Sequence, residues 1–362
     1  MLLHPTTLGS IPLANRMVMA PMTRNRATAD HVPTPMMAEY YAQRASIGLL
    51  ITEGVAPAPN GAGYARIPGL YNPAQVAGWR VVTDAVHAAG GRIFMQMMHT
   101  GRASHAANLP AGAEVVGPVA VAMAGEMWTD ASGLQPPTTP RAMTASDIAA
   151  AIASYAKSAE LAIASGFDGV EIHAANGYLV EQFLNANVNT RTDEWGGSAD
   201  ARNRFALEVA RAMAAAIGAD RVGIRLSPLG TFNGTGAFDG VEAQFLALVK
   251  SLGEMKLAYL HLVDHSSMGA PALPGEFTVA LRVAFGGVFI ASGGFDQARA
   301  EQVLVAGDAD LIAFGRSALA NPDLVARFAN GDPLNAPDVA TFYTAGAKGY
   351  TDYPVVAACG MV

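Results

Sequence analysis

Apolar residues along the chain gather into short runs: Met17–Met22 (MVMAPM), Leu49–Val55 (LLITEGV), Arg92–Met98 (RIFMQMM), Gly169–His173 (GVEIH), Val222–Ser227 (VGIRLS), Tyr259–Val263 (YLHLV), Gly287–Ala291 (GVFIA) and Asp310–Gly315 (DLIAFG). Near-continuous apolar character over so few residues, ending in small or polar ones, marks a strand buried on both faces of a parallel sheet. Between the runs, apolar positions recur at three- and four-residue spacing, as in Ala145–Ser165, Ala199–Ile217 and Gly240–Leu252, which predicts amphipathic helices. Thr144 with Asp147, and Asp239, supply start signals, while Gly166, Gly218 and Gly253 supply stops. Eight strand–helix alternations with short returns predict an α/β fold, a (β/α)8 TIM barrel. A doubly wound sheet would carry a Gly-rich fingerprint after its first strand, and this chain has none there. The N-terminal TTLGSIPLAN predicts a β-hairpin turning at Gly9-Ser10.

One segment breaks the alternation. His99–Arg141 is rich in Gly, Pro and Ala and carries GLQPPTTPR at 133–141. Leaving the third predicted strand, it must emerge on the active-site face of a barrel. A segment this long is either a cap over the pocket, the favoured reading, or plain solvent-exposed decoration. With no internal repeat and no low-complexity tail, the chain is expected to form a single domain, 1–362, with 99–141 as its capping segment.

The 362 residues suffice for such a barrel, which takes roughly 250. A formal charge of -7 and no Lys/Arg-rich run weigh against a nucleic-acid partner. Although 51% of residues are hydrophobic, the apolar stretches are broken well before a membrane span, which needs roughly 18–20 residues. The single cysteine, Cys359, excludes an internal disulfide and any Cys-clustered iron–sulfur or zinc site, so no metal is expected and a reducing cytoplasm suits the chain. The N-terminus lacks the basic region and apolar run of a signal peptide, and a monomer or small homo-oligomer is expected.

Catalytic side chains of a barrel come from the C-terminal ends of its strands. Polar residues lie there: Thr23 after the first predicted strand, Gln96 near the end of the third, His173 ending the fourth and Arg225 late in the fifth. Thr23 and Gln96 are each as readily local hydrogen-bonders as ligand contacts. Arg225 stays charged and needs a polar partner, supplied by a ligand or internally by Asp264 or Glu53. The seventh and eighth strands end in ASGGF (291–295) and FGRS (314–317), where glycines admit an anion close to backbone N–H groups and Arg316 adds a donor fork. Glycine also simply permits tight turns, but at these two strand ends a phosphate site is the stronger reading. Between the fourth strand and the next helix, EIHAANGYLVEQFL crowds His173, Asn176 and Tyr178 into one turn.

The stretches HAANGYLVEQFLNANVNTRTDEWGG (173–197), NRMVMAPMTR (15–24), MQMMHTGR (95–102) and GYTDYP (349–354) together closely resemble the Old Yellow Enzyme family of FMN-dependent ene-reductases, in order and over nearly the whole chain. The resemblance implies tightly bound, non-covalent FMN across the barrel mouth, its phosphate on Gly294, Gly315 and Arg316. Pro21, Met22 and Thr23 would hold one side of the ring, with Thr23 near O4. Ala56 and Gln96 would meet the pyrimidine edge, and Arg225 would sit by N1 and C2=O, where reduced flavin gathers negative charge. NAD(P)H would deliver hydride to flavin N5, and the reduced flavin would pass it to the β-carbon of a small activated alkene, an α,β-unsaturated carbonyl or nitro compound. His173 and Asn176 would donate hydrogen bonds to the activating oxygen, and Tyr178 would protonate the α-carbon. Tyr64 and Tyr350 match pocket-lining positions, though aromatic rings also fill space.

Two departures stand out. Where many members read Gln-Leu-Trp, this chain reads Gln96-Met97-Met98, which implies altered facial selectivity. The lone C-terminal cysteine separates it from the iron–sulfur dienoyl-CoA reductases and from members with a first-strand cysteine. Competing readings are another FMN barrel oxidoreductase, such as a dihydroorotate dehydrogenase or 2-hydroxy acid oxidase, a flavin-binding protein without turnover, and a non-flavin isomerase of a phosphorylated sugar. The first does not explain the His-x-x-Asn-x-Tyr grouping, intact His173, Asn176, Tyr178 and Arg225 argue against the second, and the third fits the phosphate site but predicts a colourless protein.

Overall fold

The computed structural model describes residues 1–356, so Cys359 lies outside the described residues. A hairpin, β1 (Thr6–Leu8) and β2 (Ile11–Leu13), precedes β3 (Met17–Met19), α1 (Pro35–Ala42), β4 (Leu49–Ile51), α2 (Pro73–Ala88) and β5 (Ile93–Met97). Four short strands follow, β6 (Val116–Gly117), β7 (Met127–Thr129), β8 (Gly133–Gln135) and β9 (Arg141–Ala142). Then come α3 (Ala145–Ala164), β10 (Gly169–Ala174), α4 (Leu179–Leu184), α5 (Ala199–Ile217), β11 (Val222–Leu226), α6 (Val241–Glu254) and β12 (Tyr259–Val263). The chain continues through α7 (Gly275–Phe285), β13 (Val288–Ser292), α8 (Gln297–Ala306), β14 (Leu311–Phe314), α9 (Arg316–Ala320) and α10 (Leu324–Asn330).

β3, β4, β5, β10, β11, β12, β13 and β14 close into one parallel barrel, and these are the eight apolar runs of the sequence. β3 is shorter than its run because Pro21 has no N–H to give; the pairing ends with Ala20 donating to the Phe314 carbonyl. Inside the barrel, small residues make room for rings. A Cβ on Gly169 would stand 2.4 Å from Phe94, and one on Gly223 would stand 2.2 Å from Tyr259. The two rings, 5.8 Å apart, fill the interior together with Val18, Leu49, Ile51 and, from the hairpin, Leu8 and Leu13. Burial of each leucine contributes about 1.5–3 kcal/mol. The hairpin thus stoppers one end of the barrel, and the C-terminal ends of the strands are left for chemistry.

α3 begins in the capping box that Thr144 and Asp147 predict, and α5 stops at Gly218 with φ 93°. α6 departs from expectation at both ends. Gly240 rather than Asp239 is its N-cap, and Gly253 lies inside the helix instead of ending it. Gly253 is a packing residue, since a Cβ there would meet the Phe285 carbonyl oxygen of α7 at 2.3 Å. The chain turns away only after Met255, where Lys256 takes φ 59°.

The excursion between β5 and α3 forms a parallel pair β6–β9 and a hairpin β7–β8. It is tied down on both sides. Asn108 donates to the carbonyls of Gly63 and Trp128 (both 3.0 Å), Arg66 pairs with Asp130, and Arg102 donates to the Asn233 carbonyl (3.0 Å). It therefore bridges the loops that follow β4 and β11. Among the described residues no helix is long and apolar enough to cross a membrane.

Candidate active site

β10 delivers His173 to the barrel mouth, and a tight turn brings Asn176 and Tyr178 beside it. Asn176 (φ 59°) and Gly177 (φ 72°) are consecutive left-handed residues, and Tyr178 caps α4. A Cβ on Gly177 would come within 2.5 Å of the Phe232 carbonyl oxygen, so the position needs glycine for space as well as for φ.

The Ala175 N–H donates to His173 Nδ1 at 3.3 Å, which puts the imidazole proton on Nε2. Burial, reinforced by Arg225, holds the His173 pKa well below its ordinary value, so the ring is neutral. Asn176 Nδ2 lies 3.5 Å from His173 Nε2. Two N–H donors therefore converge on one spot with no acceptor between them. The Tyr178 hydroxyl approaches that of Tyr64 at 3.4 Å, with its ring edge-on to His173 at 4.9 Å. Burial and Tyr64 hold the Tyr178 pKa well above its ordinary value. It is a neutral O–H donor across the physiological range.

Register pairs His173 with Arg225 and Arg225 with His261 across β10, β11 and β12, so the three share one face of the sheet. Arg225 is buried and makes no side-chain hydrogen bond or ion pair among the described residues; its Nε has no partner. The internal partners expected for it are engaged elsewhere. Glu53 accepts from the backbone N–H groups of Arg24 and Asn25, and Asp264 accepts from that of Ser266. Burial lowers the Arg225 pKa, with Glu171 pulling the other way.

Below this layer Gln96 Nε2 donates to Glu171 Oε1 (2.8 Å), and Glu171 Oε2 meets His261 Nδ1 (2.8 Å). Glu171 and His261 escaped the sequence reading. The available signal was a polar residue inside a buried apolar run, two residues before His173 in one case and mid-strand in the other. His261 Nε2 is buried without a partner, and burial lowers the ring's pKa.

The remaining expected residues divide. Thr23 is half-buried at the mouth and its hydroxyl makes no hydrogen bond among the described residues, Met22 lies beside it, and Pro21 ends the strand pairing. Gly315 starts α9 with only Met22 Sδ, at 3.6 Å, near the place of a Cβ, and Arg316 is exposed. Gly294 is exposed at φ 62° on the neighbouring strand end. Ala56 is fully buried, its N–H donating to the Pro68 carbonyl and its own carbonyl accepting from the Leu70 N–H.

Tyr350 is a correction. It has no exposed surface, stacks on Tyr40 at 4.0 Å, and lies under the guanidinium groups of Arg26 (4.7 Å) and Arg24 (5.1 Å). It is a packing residue. Tyr343, from the same segment, is exposed and adds slightly to the upward shift of the Tyr64 and Tyr178 pKa. Met98 is buried, its thioether lying where a side chain on Gly54 would be. A surface groove of about 690 Å³ by the N-terminus and α8 is lined by Asp296, Glu301 and Asp332 and contains none of the mouth residues.

Known proteins share this arrangement of chain. The model of the NADH:flavin oxidoreductase / NADH oxidase family matches residues 1–335. A Leishmania infantum protein named "Probable flavin mononucleotide-dependent alkene reductase" is 43% identical over 98% of this chain and 97% of its own. The structure of morphinone reductase in complex with tetrahydroNAD superposes with a TM-score of 0.92 at 43% identity, covering 98% of this chain and 97% of that one. The old yellow enzyme homologue from Zymomonas mobilis gives 0.93 at 39% identity, covering 98% and 99%.

Proposed function

Since the chain belongs to the NADH:flavin oxidoreductase / NADH oxidase family, as an Old Yellow Enzyme-type FMN ene-reductase, we propose that it reduces the activated C=C bond of small α,β-unsaturated carbonyl or nitro compounds with NAD(P)H. The relative named as an alkene reductase and the neighbour solved with tetrahydroNAD support this choice of substrate and donor. Bound FMN would supply the hydride chemistry, accepting from NAD(P)H and giving to the β-carbon.

The residues fit such a cofactor. Arg225 offers a buried, unpartnered guanidinium to a ring edge that becomes anionic on reduction. Thr23 and the free Oε1 of Gln96 offer further polar contacts to the ring. The open Gly315, the exposed Arg316 and Gly294 suit a phosphate.

The observation that carries the reading is the pair of N–H donors on His173 and Asn176, 3.5 Å apart with the Tyr178 hydroxyl alongside. Two donors on one carbonyl or nitro oxygen stabilise the enolate or nitronate that forms as hydride arrives; one such donor is typically worth about 10²–10³ in rate. Tyr178, neutral and beside that oxygen, then gives its proton to the α-carbon. The experiment is the visible spectrum of the purified chain, followed by anaerobic reduction with NADPH and addition of 2-cyclohexenone. A yellow protein bleached by NADPH and recoloured by the enone is expected. A colourless protein that takes up no FMN, or a reduced flavin that no enone or nitroalkene reoxidises, would sink the proposal.

A further inference from the structure

Resting on that reading, we infer that Glu181 is a positioning residue, which holds the turn between β10 and α4 so that Asn176 and Tyr178 aim at one pocket. The turn is two left-handed residues long, and although Asn and Gly enter that region more readily than other residues, two in succession turn both of their N–H groups away from any regular helix or strand partner. Glu181 supplies a partner from the next turn of chain. Its Oε2 accepts the Gly177 N–H at 2.5 Å, its Oε1 accepts the Ser227 hydroxyl at 3.0 Å, and Ser227 Oγ in turn accepts the Asn176 N–H at 2.9 Å. Both N–H groups of the left-handed pair thus end on one carboxyl, directly or through the serine that follows β11. Gln182 completes the hold. It donates to the Gly177 carbonyl at 2.8 Å and is anchored to the Thr100 carbonyl and the Arg102 N–H.

A carboxyl at this place calls for a reason. Glu181 is buried, forms no ion pair among the described residues, and lies in a short helix whose residues are all buried, including Val180 and Phe183, where an apolar residue would serve as well. Burial pushes its pKa up to about 8. The neutral acid near pH 7 still accepts from Gly177 at one oxygen and can donate to Ser227 Oγ from the other. Glutamine has the same disposition of acceptor and donor, which sets up the test.

Three variants of the flavin-loaded full chain are compared with wild type: Glu181→Leu, Glu181→Gln and Ser227→Ala. Binding of 2-cyclohexenone is read from the flavin spectrum of the oxidised protein without reductant, and FMN affinity is measured separately. Glu181→Leu is expected to weaken enone binding by about ten-fold and leave FMN affinity within about two-fold, while Glu181→Gln recovers enone binding to within about three-fold. Ser227→Ala, which cuts only the link to Asn176, falls between them. Amide exchange at Asn176 and Gly177, which requires no substrate, should rise by about ten-fold in the leucine variant and not in the glutamine one. Unchanged exchange and enone affinity in Glu181→Leu overturn the inference. So does a parallel loss of FMN and enone binding across the variants, the mark of a general structural role. If wild type neither binds nor reduces the enone yet the exchange pattern appears, the proposed function fails and the hold of Glu181 on the turn stands.

Discussion

A neutral His173 donates to an oxygen from Nε2 only if its single proton sits there, and its neighbours fix both the neutral state and the tautomer. The Ala175 N–H occupies Nδ1, while burial and Arg225 disfavour the imidazolium. Tyr178 is tuned in the opposite sense, its hydroxyl kept protonated by burial. Replacing that hydroxyl alone should separate the two half-reactions. Tyr178→Phe is expected to leave flavin reduction by NADPH nearly intact and slow enone reduction by about 10²-fold or more, the usual worth of a positioned acid. Stopped-flow measurement of each half-reaction checks this, and equal losses in both would assign Tyr178 to packing. These three residues were legible because they are near neighbours in one strand-to-helix turn. Glu171 and His261 were not, because what makes them a unit is a contact between β10 and β12, strands that are not adjacent in the barrel. Tyr350 misled for a related reason: a motif match does not say which face of a folded-back segment is wet.

Among the elements, the C-terminal segment from Val339 to Tyr350 depends most on single side chains. Arg26 donates to the carbonyls of Arg24, Thr341, Phe342, Gly346 and Lys348 and to the Thr344 hydroxyl. Arg24 adds bonds to Phe342 and Gly349, and Arg44 to Tyr350. Burial and the nearby Arg24 pull the Arg26 pKa down to about 10, so at neutral pH it remains a cation held by carbonyl dipoles. Arg26→Ala would leave several of those carbonyls unpaired at a cost of about 2–4 kcal/mol. The expected signs are a lower urea midpoint and faster proteolysis within 341–349, and an unaltered cleavage pattern would contradict the strap role. None of this was visible in the linear pattern, which shows helices and strands but not what a coil folds against. The same limit explains α6, whose Gly253 resembles a stop signal and is instead the place where α7 comes close.

For the whole molecule, buried acids and imidazoles set opposite pH slopes. Burial raises Glu53 from 4.5 to about 7 and Glu181 from 4.5 to about 8, so the folded chain holds protons that the unfolded chain has lost. Their stabilising contribution is complete below pH 4.5 and is lost as pH rises through those folded values. His99 and His265 are lowered from 6.5 to about 4, so their contribution is complete above pH 6.5 and is lost as pH falls toward 4. The two effects oppose each other between 4.5 and 6.5, and above 6.5 only the carboxyls act. Stability should therefore fall from pH 6.5 to 8.5, with a shallower fall in Glu53→Gln. Urea midpoints across that range test it, and identical slopes in the two proteins would rule out Glu53 as a contributor.

The sequence by itself determined the barrel. Eight short buried runs alternating with amphipathic segments admit few other arrangements, and local chemistry marked the hairpin, the capping box of α3 and the His173–Asn176–Tyr178 turn. Those features rest on contacts between residues close in the chain, or on a periodicity that each segment carries alone. Tertiary structure decided what depends on distant segments meeting: the Gln96–Glu171–His261 chain, the unpaired state of Arg225, the burial of Tyr350 against Tyr40 and the hold of Glu181 on its turn. Burial governs all four, since a buried polar group takes its charge and its partner from whatever the fold brings within about 3 Å.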